Sequence, residues 1–167
     1  MKKVRGNLVS MFENNELDVI IHGCNCGCNM GSGIAKEIRE RFPKAYEADL
    51  KSSKFDPNKL GDYTYAEFDG RFIVNAYTQF NWGLNLPING RHCSYDAISD
   101  VFKKIKSEFG GRSYRFGVPA IGAARAGGDW NIIKMIIDYH LYDEDVTFVE
   151  FDGVDKYDYM SNVQNKG

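Results

Sequence analysis

The residues best suited to chemistry lie close together between Val19 and Lys36, in the segment VIIHGCNCGCNMGSGIAK. His22 follows an uninterrupted β-branched run, which is typical of a strand buried on both faces. An imidazole titrates near neutral pH, so His22 can serve as a base or nucleophile toward a phosphate, or form only a hydrogen bond within a loop. Asn25 can donate and accept hydrogen bonds at once, which suits sugar hydroxyls as well as phosphates.

A glycine-rich loop after His22 leads into a helix that begins at about Gly33. A strand, a glycine-broken loop and a helix start form an anion cradle, because glycines let the backbone approach a ligand and the first helical N–H groups point at it. Two common nucleotide signatures are absent: no glycine follows three residues after Gly33, and the chain has no Gly-Lys-Ser/Thr sequence. The chemistry of the loop favours a ribose-phosphate ligand, although neither of these signatures is present.

A second loop of small residues, from Ala120 to Gly128, also lies between a predicted strand and a predicted helix. Arg125 within it can clamp a phosphate or lie solvated on the surface. Asp129 directly after it can cap the next helix, and it can also orient or activate a water. Because such loops line one crevice beyond the strand ends in open α/β sheets, the two loops can grip a diphosphate from both sides.

The cysteines predict neither a disulfide nor a metal site. Cys24, Cys26 and Cys28 are too close along the chain to bridge easily, which fits a reducing cytoplasm. Zinc-binding pairs are usually separated by two or more residues. His92 and Cys93 are neighbours in the chain, and we expect both to be distant in space from these three cysteines. We therefore expect reduced, semi-buried thiols, no bound metal and no cofactor.

Composition and length indicate an ordinary soluble domain. The 167 residues are about one domain's worth, with 26% charged and 43% hydrophobic residues. A net charge of −2 gives no case for a nucleic-acid or membrane surface, and no apolar run approaches the roughly 20 residues of a membrane span. We expect a single cytoplasmic domain, with a core over about residues 3–151 and a polar tail over 152–167.

The remaining pattern predicts the elements that must position these loops. Strands are predicted at 3–10, 19–21, 60–68, 71–78, 114–119 and 146–151. Helices are predicted at 33–42, 44–54, 95–109 and 130–141. The dipeptide Asp69-Gly70 predicts a hairpin between two of the strands. Strands that alternate with helices predict an α/β fold, a three-layer α/β/α sandwich with a central mixed, mostly parallel sheet.

Taken together, the motifs resemble those of the macrodomain family, the ADP-ribose-binding fold, over most of residues 3–151. The family opens with Gly-Asp/Asn-Leu/Ile, and this chain has GNL at 6–8. The family continues with Asp-x-Ile-Val-Asn-Ala-Ala-Asn, and this chain has DVIIHGCN at 18–25. Its glycine loop is similar to GSGIA at 31–35, and its second loop to PAIG at 119–122, which ends here in GGDW at 127–130.

The resemblance implies a role for each part of these motifs. Asp18 would accept a hydrogen bond from the adenine amino group, Asn25 would hold the distal ribose, and Phe151 would pack on the adenine face. The backbones of both loops would bind the diphosphate: Gly31, Ser32, Gly33 and Ile34 from the first, and Ile121, Gly122, Ala123, Ala124, Arg125, Ala126 and Gly127 from the second.

His22 replaces the first Asn of the family motif. This is similar to the branch that hydrolyses ADP-ribose 1″-phosphate, in which a histidine and an aspartate of the second loop region carry the reaction. The resemblance thus implies a metal-independent phosphatase with His22 and Asp129 as its catalytic residues. The alternatives are a module that binds ADP-ribose without turnover, and a hydrolase that removes ADP-ribose from proteins or nucleic acid. MGSGIA at 30–35 resembles that hydrolase branch, but the position of its aspartate is Ala126 here.

Overall fold

The computed structural model describes residues 1–83, 85–87 and 89–153. A six-stranded sheet runs in the order β1-β6-β5-β2-β4-β3. Its strands are β1 (Lys2–Gly6), β2 (Val19–Asn25), β3 (Tyr63–Phe68), β4 (Arg71–Gln79), β5 (Arg115–Val118) and β6 (Asp145–Phe151). Every pairing is parallel except that of β3 with β4, so the predicted mixed, mostly parallel sheet is confirmed.

Helices cover both faces of the sheet. They are α1 (Leu8–Glu13), α2 (Gly33–Arg41), α3 (Pro43–Leu50), α4 (Tyr95–Phe109) and α5 (Trp130–His140). One apolar cluster joins α4 and α5 to the sheet, and a second joins α1, α2 and α3 to the opposite face. Val19 and Ile21 of β2 belong to the first cluster and Ile20 to the second, because successive side chains of a strand point to opposite faces. The predicted three-layer sandwich is confirmed.

The N-terminal segment differs from its prediction. The strand expected over 3–10 ends at Gly6, and the helix α1 begins at Leu8. Asn7 caps this helix, since its side-chain oxygen accepts a hydrogen bond of 2.9 Å from the Ser10 N–H. Leu8 and Phe12 are buried on one face of the helix, so a helical repeat of apolar residues was mistaken for the alternation of a strand.

The second strand is longer than predicted, and this decides where the functional residues lie. β2 continues past Ile21 to Asn25, because it pairs with β4 as far as the partners Asn25 and Gln79. His22 is therefore inside a strand and not in the loop. The other elements lie within a few residues of their predicted positions, and the hairpin at Asp69-Gly70 is confirmed.

In the described ranges, no helix has the length and apolar character needed to cross a membrane. The predicted polar tail over 152–167 lies outside the described residues from position 154 onward.

Candidate functional site

A crevice of about 500 Å³ opens at the edge of the sheet where the parallel strands end. Both predicted loops line it, because one follows β2 and the other follows β5, the neighbouring strand. The lining consists of residues 23–25, 29, 32–35, 79, 82, 83, 92 and 119–126. The expectation that two small-residue loops share one crevice is met by this geometry.

A narrower, mostly apolar slot of about 220 Å³ continues the crevice toward β1 and β6. The slot and the crevice share Gly33, Ile34 and Pro119, so they form one continuous depression. Phe151 lies at the slot with about half of its surface exposed. The apolar lining of the slot suits a planar ring packed between apolar side chains.

The polar side of this slot was not assigned from the sequence. Asn7 and Glu37 both line it, and the Asn7 amide donates to the Glu37 carboxylate at 3.1 Å. Arg41 compensates the buried carboxylate through a bond of 2.6 Å. The sequence signal for this pair was the GNL motif at 6–8, because Asn7 lies within it.

Asn25 organises the first loop from within. Its side-chain oxygen accepts from the N–H groups of Gly27 and Asn29, at 3.0 and 3.2 Å, and its amide nitrogen donates to the Asn29 carbonyl at 2.9 Å. Asn25 also lines the crevice, as predicted for a ligand-binding residue. Gly31 does not line it; the Gly31 N–H donates to the Asn29 side chain, so Gly31 shapes the loop instead.

The start of α2 faces the crevice. Ser32, Gly33 and Ile34 all line the crevice, and the Ser32 side chain makes no capping hydrogen bond to the helix. The N–H groups of a first helical turn carry partial positive charge and need partners. An anion placed here would supply those partners, which fits the predicted role of this loop as a diphosphate cradle.

The second loop closes the crevice from the side of β5. Residues 121–126 line it, with Arg125 exposed at its rim. Gly127 does not line the crevice and instead lets the loop pack closely: it has φ of +77°, and a Cβ there would lie 2.3 Å from the Gly90 carbonyl oxygen. The loop conformation therefore depends on a glycine next to the site.

His22 does not reach the crevice. Its ring is fully buried, and Nε2 donates to the Asn75 side-chain oxygen at 2.7 Å. Asn75 in turn donates to the Ala45 carbonyl of α3, so the ring lies between the sheet and that helix layer. Burial lowers the pKa of the His22 imidazole to about 4. The predicted catalytic role of His22 is wrong for this structure, because β2 extends past it and directs its side chain into the interior.

Asp129 lies apart from His22. It caps α5, with its carboxylate accepting a bond of 2.9 Å from the Asn131 N–H, and it is exposed. Because α5 packs on the opposite face of the sheet from α3, the two residues predicted as a catalytic pair are not brought together. Asp129 also does not line the crevice, so only its alternative role as a helix cap is seen.

Asp18 lies at the opposite edge of the sheet. It precedes β2, whose far end at Asn25 forms the crevice, so the two positions are about 20 Å apart along the strand. Its carboxylate accepts from both Nε and a terminal nitrogen of Arg115, at 2.9 Å each. This guanidinium lowers the pKa of the Asp18 carboxyl group. The predicted contact of Asp18 with adenine is therefore wrong. Asp18 instead joins the start of β2 to β5 through its hydrogen bonds with Arg115.

Further lining residues come from the end of β4 and from the segment after it, which had no predicted role. Gln79, Trp82 and His92 line the crevice beside Asn25. His92 and Cys24, which were expected to be distant from each other, both line the crevice. The segment has no periodic pattern, so its return to the site is visible only in three dimensions.

The cysteines are buried free thiols. Burial raises the pKa of the Cys24 thiol, so it stays protonated at neutral pH. Among residues 1–83, 85–87 and 89–153, no cluster of three or more His, Cys, Asp or Glu side chains is arranged to hold a metal ion.

Sequence comparison gives one relative over nearly the whole chain. The protein is 32% identical to the 17.5 kDa protein of the tk–vs intergenic region of Enterobacteria phage T4, over 91% of this chain and 97% of that protein. It is also 33% identical over 63 residues to the ADP-ribose 1″-phosphate phosphatase of Aspergillus oryzae, an alignment that spans 36% of this chain and 30% of the fungal protein. No family model matches the chain.

Solved macrodomains share the fold. The macrodomain of Thermus aquaticus DarG superposes with a TM-score of 0.70 at 22% identity, over 90% of this chain and 97% of that one. A Trypanosoma brucei macrodomain in complex with ADP-ribose gives a TM-score of 0.61 at 13% identity, over 99% of this chain and 68% of that one. The protein therefore belongs to the same family as the phage T4 17.5 kDa protein, and its fold is that of the macrodomains.

Proposed function

We propose that the protein binds ADP-ribose in the crevice and the adjoining slot. The observation that carries this proposal is the continuity of an apolar slot with a polar crevice flanked by two small-residue loops. These two environments match a ligand that is planar and apolar at one end and polar and anionic in its middle. The complex of the Trypanosoma brucei macrodomain with ADP-ribose supports the same choice of ligand.

Each part of the ligand has a distinct place in this proposal. The adenine ring enters the slot and packs on Phe151, with Asn7 and Glu37 as polar groups at its edge. The diphosphate lies between the first turn of α2 and the second loop, where helical N–H groups stabilise negative charge. The distal ribose then lies near Asn25, at the far end of the crevice.

Calorimetric titration with ADP-ribose tests the binding proposal. We expect saturable binding at a one-to-one ratio, and weaker binding of AMP, which lacks the second phosphate and the distal ribose. Phe151→Ala should weaken ADP-ribose about tenfold or less, because the ring is half exposed and supplies packing to one face only. No heat of binding with millimolar ADP-ribose would refute the proposal.

We further propose that the protein hydrolyses ADP-ribose 1″-phosphate to ADP-ribose and phosphate. The similarity to the fungal phosphatase supports this reaction, although the alignment covers a minority of that enzyme. His92 is the imidazole that lines the crevice, with Nε2 donating to the Gly83 carbonyl at 3.1 Å. In the proposed reaction His92 takes a proton from a water whose oxygen bonds to phosphorus, and the phosphorus–oxygen bond to the distal ribose breaks. The ribose oxygen takes up a proton from solvent, inorganic phosphate leaves, and His92 returns its proton to solvent.

Phosphate release from ADP-ribose 1″-phosphate distinguishes the candidates. We expect turnover by the wild type, a loss of about 100-fold or more in His92→Ala, and nearly unchanged ADP-ribose affinity in that variant. His22→Gln is the matched imidazole control and should retain turnover. Binding without any phosphate release would leave a non-catalytic ADP-ribose module. Release of ADP-ribose from a modified protein or nucleic acid would favour the hydrolase alternative.

A further inference from the structure

Three aromatic side chains form a platform at the far end of the crevice, which we call the aromatic shelf: Phe55, Phe80 and Trp82. Their exposed fractions are 42%, 38% and 41%. Phe55 and Trp82 are nearly parallel, with an interplanar angle of 14° and ring centroids 5.7 Å apart. Phe80 lies against Phe55 at a centroid distance of 5.6 Å. The shelf thus keeps large apolar faces in contact with solvent.

The shelf is fixed to the first loop of the site. The Phe55 N–H donates to the Cys26 carbonyl at 2.7 Å, and the Cys26 N–H donates to the Phe80 carbonyl at 3.1 Å. The rings of Phe55 and Trp82 also rest directly on Gly27, where an added Cβ would lie 2.5 Å from an atom of each ring. The absence of a side chain at Gly27 is therefore what lets both rings pack there. Their orientation is set by the same loop that Asn25 organises.

The position of the shelf along the sheet relates it to the ligand. The slot lies over the ends of β1 and β6, the crevice over β5 and β2, and the shelf follows β4. Slot, crevice and shelf therefore follow the strand order across one edge of the sheet, and β6 and β4 are three strand spacings, or about 14 Å, apart. Trp82 lines the crevice as well as the shelf, so the two are continuous.

We propose that the shelf binds a planar heteroaromatic base attached to the distal ribose of ADP-ribose. The inference rests on the proposed ADP-ribose site, because that site directs the distal ribose toward Asn25 and Trp82. An exposed aromatic face stacks on the π-face of a base, whereas a phosphate at this place gains little from carbon surfaces. The shelf therefore adds a ligand class, an N-glycoside of ADP-ribose with a planar base, to the phosphate considered above.

Titrations with NAD⁺ and ADP-ribose test the shelf, because NAD⁺ is ADP-ribose with nicotinamide on the distal ribose. We expect the wild type to bind NAD⁺ more tightly by roughly fivefold or more, which corresponds to the lower range for a base stacked on an aromatic side chain. Trp82→Ala should abolish this preference, so that its affinities for NAD⁺ and ADP-ribose agree within about twofold. Trp82→Phe should retain part of the preference, and Tyr142→Ala, an exposed aromatic far from the crevice, should retain all of it.

The outcomes separate the two proposals. Equal or weaker binding of NAD⁺ by the wild type, with ADP-ribose bound normally, overturns the shelf and leaves the ADP-ribose site intact. A preference that survives in Trp82→Ala also overturns the shelf. Failure of both nucleotides to bind overturns the ADP-ribose site and the shelf with it. Unchanged thermal unfolding of Trp82→Ala shows that a lost preference does not arise from misfolding.

Discussion

Burial determines what the histidines of this chain can do. His22 has the residue type of a catalyst, yet its ring is enclosed between the sheet and α3, with its Nε2 proton donated to Asn75. His92 follows no recognisable motif, yet it lies in the crevice. The residue type thus indicated the chemistry, whereas the extension of β2 placed His22 in the interior and the segment after β4 brought His92 to the crevice.

The buried His22 should make the stability depend on pH. Its pKa is about 4 in the folded state against 6.5 for an unperturbed histidine, so between these values the unfolded chain binds more protons. The free energy of unfolding should therefore fall as the pH is lowered from 6.5 to 4, by about 3 kcal/mol from this group, and the contribution is fully present above pH 6.5. Denaturant unfolding of the wild type and His22→Gln checks this. Parallel pH curves for the two proteins would contradict it.

Asp18 should support stability and not ligand binding. Asp18→Asn removes the negative charge of the carboxylate that accepts two hydrogen bonds from the Arg115 side chain. Both side chains of this ion pair are partly exposed. We expect a loss of about 1 kcal/mol in the free energy of unfolding, allowing for solvent screening. Calorimetry should give an unchanged ADP-ribose affinity, because the residue lies at the opposite edge of the sheet. A tenfold weaker affinity with normal stability would restore the adenine role.

Among the elements, those with a strong periodic pattern could be predicted. The helix over 95–109 was predicted with its observed bounds, because its apolar residues recur at helical spacing; in the structure Ser94 caps it. The hairpin of β3 and β4 followed from alternation and the Asp69-Gly70 turn. The short α1 and the extension of β2 were missed, because six residues give little periodicity and pairing with β4 is a tertiary effect.

The positions of the two loops at the site could be predicted from the sequence, but the positions of its functional side chains could not. Glycines and small residues after two strands mark the crevice from the sequence, because backbone conformation depends on local residue types. The positions of His22, Asp18 and Asp129 depend on strand ends and facing directions, which a shift of a few residues changes completely. His92 and Trp82 depend on how one irregular segment returns to the sheet, so no local pattern reports them.

The first loop offers a matched test of its backbone. Gly33 and Gly70 have φ of +57° and +80°, and an added Cβ meets nothing within 4 Å at either position. Gly33→Ala and Gly70→Ala should therefore each cost about 1 kcal/mol in unfolding free energy from backbone strain. Only Gly33 lines the crevice, so only Gly33→Ala should weaken ADP-ribose, by about tenfold, in a titration. Equal affinities of the two variants would show that this loop does not contact the ligand.

At the scale of the whole molecule, ligand binding and unfolding should be linked. If ADP-ribose binds the folded chain alone, a concentration 100 times its dissociation constant should raise the free energy of unfolding by about 2.7 kcal/mol. For a chain of 167 residues this corresponds to a rise in Tm of roughly 5–10 °C. Differential scanning calorimetry measures the shift. A Tm that does not change with ADP-ribose concentration would contradict binding to the folded state.

The two loops of the crevice belong to different helix layers. The first continues into α2, which packs through Ile38 on one side of the sheet, and the second leads into α5, which packs through Ile133 on the other. Neither loop can form the complete cradle by itself, because each loop is oriented by a different apolar core. A chain in which only one of these cores is packed would present half of the cradle, so the complete pocket requires both cores on the shared sheet.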